Sequence, residues 1–593
     1  MDTENKETRN QIHQPIKLQV KTYNLKDNPK PEYKNTIKPL KIIPLGGLEE
    51  IGRNMTLFEY NDQIVIIDMG LQFPDETMPG IDYIIPNIEY LERNNNKKIQ
   101  GIIITHAHYD HIGAIPYLID KLNYPTIYAT PLTKAIILKR QEDFPYLKKL
   151  DLRTIETDSS KEINLGAFSF KTFHLNHNIP DTAGIVLKTP VGAIFYTTDF
   201  KFDFHPIADK PADLSKIAQL AQEEKPLLLM SDSTGAENQG HSISEKTIME
   251  NLERIFAEAP GRIILATFSS LISRLQQAIW LSEKYGRKVT IEGFSMRTNV
   301  QIAEKLNYLT IKKNTIITWK EANRTNPQKL TILCTGAQGE SDAILIKIAN
   351  KEHKYLSIQK GDTVIFSSSI VPGNERAVQN LKDSLIKQGA KVYHYKMLDI
   401  HASGHGYQDD LKTMINLVQP KFFMPIHGHY SMLNAHAELA ESVGIPKSNI
   451  VIAQNGQIIE LTPENIVLTE KFVPTNYIMV DGLGIGDIGE VVLRDRQTLA
   501  RDGIFIIIAI IDRKTGLLYN PPEIVSRGFV YMKESKELLN NVKKLVTDII
   551  HRATKSRSVN EIYLKNTLRD EIGVYLYKKT QRQPMVLPVI IQV

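Results

Sequence analysis

Thr105-His106-Ala107-His108-Tyr109-Asp110-His111-Ile112-Gly113-Ala114 puts three histidines and one aspartate within six positions. The run before it, Gly101-Ile102-Ile103-Ile104, is short, β-branched and uncharged, and reads as a buried strand. Beyond it Ile112, Ile115, Leu118, Ile119 and Leu122 recur at helical spacing, so the cluster stands on a strand-to-helix turn. Imidazole nitrogen and carboxylate oxygen are the usual zinc ligands besides thiolate. Without a cation to unite them, four such groups would repel one another or lose hydration. One short turn seldom supplies every ligand of a metal, so His-x-His-x-Asp-His reads as two metal sites completed from further along the chain.

Two downstream residues fit that need. His177 lies in the loop after the strand-like Phe168-Ser169-Phe170, with His174 as its rival, and Asp199 ends the strand pattern 193–198. Histidines return late. Asp399-Ile400-His401-Ala402-Ser403-Gly404-His405-Gly406 is a loop with two of them, and Phe422-Phe423-Met424-Pro425-Ile426-His427 is a strand that delivers another into a turn. His429 and His436 are weaker candidates.

Between these groups, 212–372 alternates strand and helix, as a second parallel α/β unit would. Its strands are read at 227–230, 262–268, 288–292, 330–334 and 363–367, with Ser, Thr or Gly at several carboxyl ends, where parallel sheets bind ligands. Ser269-Ser270 opens a helix read at 271–281, whose free N–H groups suit a phosphate. The last segment, 466–593, holds the literal G-x-G-x-x-G of 484–489, but Glu490-Val491-Val492-Leu493 reads as a strand where a dinucleotide fingerprint needs a helix. A buried strand at 504–511 and a helix around Leu538, Val542, Leu545 and Ile549 make this segment a small α/β appendage.

The 593 residues exceed one core and imply two or three domains. With 72 Lys+Arg against 67 Asp+Glu, nucleic acid would have to be held by a local groove rather than a basic coat. The single cysteine, Cys334, excludes a disulfide framework and a multi-thiolate zinc site. No apolar run approaches the roughly 20 residues of a membrane span. The polar start of the chain, with residues 1–40 read as a flexible extension, fits a cytoplasmic protein.

The series His106-x-His108-x-Asp110-His111, His177, Asp199 and His427 resembles the metal-ligand series of the metallo-β-lactamase superfamily. His427 follows Asp199 by 228 residues, and the α/β unit in that gap resembles the β-CASP insert of nucleic-acid-processing members. Asp232, His405 and His427 match that group's later motifs. From residue 40 onward the chain is similar to the ribonuclease J family, through Gly46-Gly47-Leu48-Glu49-Glu50-Ile51-Gly52, Asp199-Phe200-Lys201-Phe202-Asp203-Phe204, Met424-Pro425-Ile426-His427-Gly428 and Ser526-Arg527-Gly528-Phe529-Val530-Tyr531. Ala107, His429 and Ser341 depart from the family pattern, and none is a predicted ligand.

The resemblance implies an α/β fold. It comprises a metallo-β-lactamase αββα sandwich (41–211 and 373–465), an inserted parallel β-CASP domain (212–372) and a small C-terminal α/β domain (466–593). It implies one zinc on His106, His108 and His177, a second on Asp110, His111 and His427, and Asp199 bridging. Asp110, Asp199 and His405 would be catalytic. Phe268, Ser269, Ser270 and the loop His401, Ala402, Ser403, Gly404 and His405 would contact single-stranded RNA, cut internally and from the 5′ end. A hard cation such as calcium would tie Gly80 and Asp82 to Asp481. Homodimers or homotetramers, or assembly with a paralogous subunit, are expected. A hydrolase for a small ester or thioester would leave the long insert unexplained. An inactive RNA-binding scaffold would not need all seven ligands.

Overall fold

Two sheets face each other across one core. The eight-stranded sheet runs Ile466–Phe472, Gln457–Leu461, Leu40–Gly46, Met55–Tyr60, Gln63–Ile67, Lys98–Ile103, Ile127–Ala129, Leu152–Thr154. The six-stranded sheet runs Phe422–Ile426, Pro226–Asp232, Gly192–Tyr196, Ala183–Thr189, Phe168–His174, Ile163–Leu165. Phe58, Val65 and Ile103 of the first and Phe170, Ile185 and Met230 of the second share one buried cluster. The helices Leu214–Glu224, Gln408–Val418 and Tyr430–Ser442 bury Leu220, Met414 and Ala440 on the outer side of the second sheet. Helix Pro131–Gln141 buries Leu132, Ile136 and Ile137 in the cluster that holds Leu57, Ile66 and Ile102 of the first sheet. This is the expected αββα sandwich. The computed structural model describes residues 38–593 apart from 76, 340–342, 371–373, 396, 483, 531–534 and 555–560. Nearly all of the expected N-terminal extension, and Glu340 and Ser341, lie outside these.

The inserted unit is a five-stranded, wholly parallel sheet in the order Lys288–Ile291, Leu330–Cys334, Ile263–Ala266, Thr363–Phe366, Lys391–His394. Its first strand in sequence lies in the middle, so connections leave to both sides and a crevice opens at its carboxyl end. Phe268, Ser269 and Ser270 emerge there, beside Ser367 of the next strand.

Four expectations about elements change, the first being that the inserted unit, expected to end at 372, takes in strand Lys391–His394. Strand Pro226–Asp232, assigned from its alternation to the inserted unit, pairs in parallel with Gly192–Tyr196 and Phe422–Ile426 in the six-stranded sheet. An apolar run states that it is buried, not which sheet buries it. Strand Ile466–Phe472 continues the eight-stranded sheet, so the metallo-β-lactamase unit extends past 465. Residues 490–493, read as a strand, begin the helix Glu490–Asp502, with Val491 60% exposed. The glycine-rich stretch still lacks a dinucleotide-binding context, because Gly484–Ile485 belongs to a small antiparallel sheet and not to a parallel βαβ unit.

Candidate metal centre and active site

The quoted stretch forms a turn after strand Lys98–Ile103, followed by two short helices, Tyr109–Ile112 and Ile115–Leu118. The turn fits because Gly70 has no side chain: a Cβ there would lie 1.5 Å from the carbonyl oxygen of Asp110. Asp68, Thr198 and His427, each just past a strand end, hold left-handed backbone (φ 61°, 55° and 51°), a strain typical of functional sites.

His106 Nε2 and His177 Nε2 converge on His108 Nδ1 at 3.1 and 3.0 Å, and both approach Asp199 Oδ2 at 3.8 and 3.7 Å. Asp199 Oδ1 lies 3.3 Å from His111 Nε2 and 3.1 Å from His427 Nδ1. Asp110 Oδ2 approaches His111 Nε2 at 3.6 Å and His427 Nε2 at 3.5 Å. The seven predicted ligands thus form two groups, each able to hold a metal ion, with Asp199 in both. His174 turns away, its Nε2 meeting the carbonyl of Lys210.

The chemistry of the groups fits cations. Burial, then neighbouring imidazoles, keep His106 and His177 well below the usual histidine range, so they offer lone pairs. On the other side burial opposes charge on His111, but the carboxylates of Asp199, Asp68 and Asp110 override it and push the group up to about 10. The same three carboxylates supply the negative charge that a cation at this place would meet. Asp199 Oδ1 and His427 Nε2 are buried without a hydrogen-bond partner.

The nitrogens facing away are also held, as metal-binding histidines require. His111 Nδ1 meets Asp68 Oδ2 at 2.7 Å, His106 Nδ1 meets Thr105 Oγ1 at 3.1 Å, and His177 Nδ1 donates to the carbonyl of Gly404 at 2.8 Å. Asp68 also accepts from the Thr105 backbone and hydroxyl. Sequence reading passed over Asp68. The signal available was a carboxylate closing an apolar run just before a glycine. Asp68→Asn is expected to weaken metal affinity by about 10–100-fold with little change in fold. Competition against a chelator measures this, and unchanged affinity would leave Asp68 a purely structural residue.

His405 sits beside both groups. Its Nδ1 is 2.7 Å from Asp232 Oδ2, and its ring centre is 5.2 Å from that of His177 and 5.6 Å from that of His427. Burial opposes its charge, but the Asp232 carboxylate raises it above the ordinary histidine value. The loop before it is tightly set. A Cβ on Gly404 would stand 2.5 Å from His177, and Ser403 Oγ accepts from the His405 backbone at 3.1 Å. Arg274, fully buried, donates to the carbonyl of Ile400 and to Ser367 Oγ, and Glu245 holds it at 3.0 Å. His401 lies with its ring centre 6.2 Å from that of Phe268, and Ala402 is buried. The structure therefore gathers Phe268, the 401–405 loop and the metal groups around one crevice. The Ser269 carbonyl is bound by Asn299 at 2.9 Å.

Gly80, Asp82 and Asp481 also come together. Asp82 Oδ2 accepts from the Gly482 backbone at 2.8 Å, and Arg496 from helix Glu490–Asp502 bonds Gly80 O at 3.0 Å and Asp481 Oδ2 at 2.5 Å. A guanidinium thus already neutralises oxygens expected to hold calcium. Calcium or its removal should leave the melting temperature of the native protein unchanged, whereas Arg496→Ala should make it calcium-responsive. A calcium-dependent native melt would overturn this.

Four family profiles match: a β-lactamase superfamily domain (79–237), the ribonuclease J β-CASP domain (260–385), a Zn-dependent metallo-hydrolase RNA specificity domain (394–451) and the ribonuclease J C-terminal domain (491–593). The chain is 40% identical over 558 residues to ribonuclease J 1 of Streptococcus pyogenes, covering 94% of this chain and 98% of that one. It is 38% identical to ribonuclease J2 of Bacillus subtilis (94% and 100% covered) and 36% identical to ribonuclease J 2 of Staphylococcus aureus (94% and 99%). A crystal structure of an Enterococcus faecalis protein of unknown function, 18% identical, shares the fold with a TM-score of 0.51 over 71% of this chain and all of that one. With the paired metal groups, the inserted parallel sheet and full-length similarity together, the chain belongs to the ribonuclease J family.

Proposed function

We propose that this metal-dependent RNA hydrolase works with two zinc ions and cuts single-stranded RNA both internally and from the 5′ end. His106, His108 and His177 would hold one ion, Asp110, His111 and His427 the other, with Asp199 between. The carrying observation is that Asp199 belongs to both groups while His405 stands beside them, fixed by Asp232. Held there, zinc would supply a water acidic enough to give hydroxide near neutrality and positive charge to balance the phosphate oxygens.

Asp110, with its side chain 28% exposed, is the most open of the carboxylates and can accept a hydrogen bond from the attacking water, aiming it at phosphorus. Because Asp232 holds Nδ1, His405 presents Nε2 to the scissile phosphate. The charge that Asp232 favours there offsets developing negative charge, and the proton can pass to the leaving 3′ oxygen. The products are a 5′-phosphate and a 3′-hydroxyl. Phe268 offers a ring for stacking, and Ser269, Ser270 and the 401–404 loop offer hydroxyls and backbone groups for the adjoining nucleotide.

We assign the protein to the cytoplasm, as a homodimer or homotetramer or together with a paralogous subunit. No described helix is long and apolar enough to cross a membrane. Supporting assembly, the C-terminal sheet ends in an edge strand, Met585–Gln592, and helix Glu561–Thr580 exposes Val574 and Tyr577. The test is zinc analysis together with digestion of 5′-labelled RNA bearing a mono- or triphosphate. About two zinc ions per chain are expected, with release of labelled mononucleotide and of internal fragments. Intact RNA with the zinc-loaded protein would refute the reading.

A further inference from the structure

Arg140, on the last turn of helix Pro131–Gln141, is ringed by aromatic side chains outside the reaction crevice. Its guanidinium carbon lies 5.7 Å from the ring centre of Tyr109 and 5.9 Å from that of Tyr83, and Phe73 meets Tyr83 edge-on at 5.9 Å. Lys139, the residue before, lies 6.0 Å over Phe294, which opens helix Phe294–Lys305. Phe73 is 64% exposed, Tyr109 38% and Phe294 72%. A lone exposed ring is ordinary, but a run of rings interleaved with two cations is a binding surface.

Two contacts join this run to the reaction centre. Tyr109 stands between His108 and Asp110, so the run begins within the ligand turn itself. At its other end, the helix that Phe294 opens carries Asn299, whose amide bonds the Ser269 carbonyl beside the crevice. Lys139 pairs with the exposed Glu142 at 2.5 Å, and Arg140, its side chain 19% exposed, meets the exposed Asp143 at 3.1 Å and the Tyr117 hydroxyl at 3.3 Å. Both acids are solvent-exposed, so their pairing contributes little in water and a phosphate can take their place, while Tyr117 keeps the Arg140 guanidinium oriented. Flat rings beside cations suit bases on a phosphate backbone.

We infer that Phe73, Tyr109 and Phe294, with Lys139 and Arg140, form a track on which nucleotides beyond the cleavage point stack while the cations meet their phosphates. The inference rests on the proposed RNA-cutting activity and adds to it a grip without base preference, since every base has a stacking face.

The test compares the zinc-loaded full chain with the Phe73→Ala/Phe294→Ala double variant, on a dinucleotide and on an RNA of about a dozen nucleotides. Loss of stacking should raise KM for the longer RNA by about tenfold or more with kcat unchanged. It should leave the dinucleotide unaffected, and tryptophan at both positions should restore the native KM. Equal KM values on the longer RNA, or an equal rise on both substrates, would overturn the track while leaving the activity in place. Should the native protein cut no RNA, the activity reading fails. Fluorescence anisotropy of labelled RNA then decides the track: equal affinity of native and variant chains overturns it, and weaker binding by the variant supports it.

Discussion

Asp199→Ala is expected to abolish cleavage, a loss beyond the roughly 10²–10³-fold that follows removal of one stabilising group. Asp199 is the only residue shared by the two three-histidine-or-carboxylate groups around it, its two oxygens each facing one of them. It is also buried, so its removal leaves a cluster of imidazoles facing one another without the intervening negative charge. Zinc content should fall below two per chain. Added zinc should raise the melting temperature of the native protein more than that of the variant, since a ligand stabilises the state that binds it. A variant that keeps two zinc ions and cuts RNA would remove the bridging role.

His405→Ala is expected to behave differently, keeping both zinc ions while single-turnover cleavage falls by about 10²–10³-fold. His405 touches Asp232 and the edges of the neighbouring imidazole rings but is not one of the seven residues in the two groups. RNA affinity should change much less, because binding draws on many phosphate contacts. The bland alternative is that His405 only braces the turn before helix Gln408–Val418. Melting temperature separates the two. Normal cleavage, or a loss that follows missing metal or unfolding, would take His405 out of the mechanism.

The candidate ligands were legible because their chemistry leaves a local trace. Four of them lie in six positions, and the others follow apolar strand runs, as His427 does after Phe422–Ile426. Choosing His177 over His174 needed the resemblance, since both stand at one strand's end. The structure separates them by three residues of travel: His174 still belongs to the strand, and His177 lies beyond it. The supporting residues were less legible. Asp68 and Asp232 act by holding imidazoles from distant parts of the chain; Asp232 was reached only through the resemblance, and Asp68 leaves no more than a carboxylate closing an apolar run. Arg496 lies on a helix whose Val491 and Val492 imitate a strand. Strand Pro226–Asp232 was recognised, but its neighbours are a matter of topology, which periodicity does not encode.

That strand's neighbour, Phe422–Ile426, is at the edge of its sheet and carries His427 at its end. The consequence concerns birth rather than catalysis. A chain emerging from the ribosome presents six of the seven ligands by Asp199, and then 228 more residues before His427. At roughly 5–20 residues per second this interval is on the order of ten to fifty seconds. During that time the second metal group lacks His427, and Pro226–Asp232 lacks its outer partner. An RNA-cutting enzyme assembled in this order completes its reaction centre only after the inserted sheet has been made.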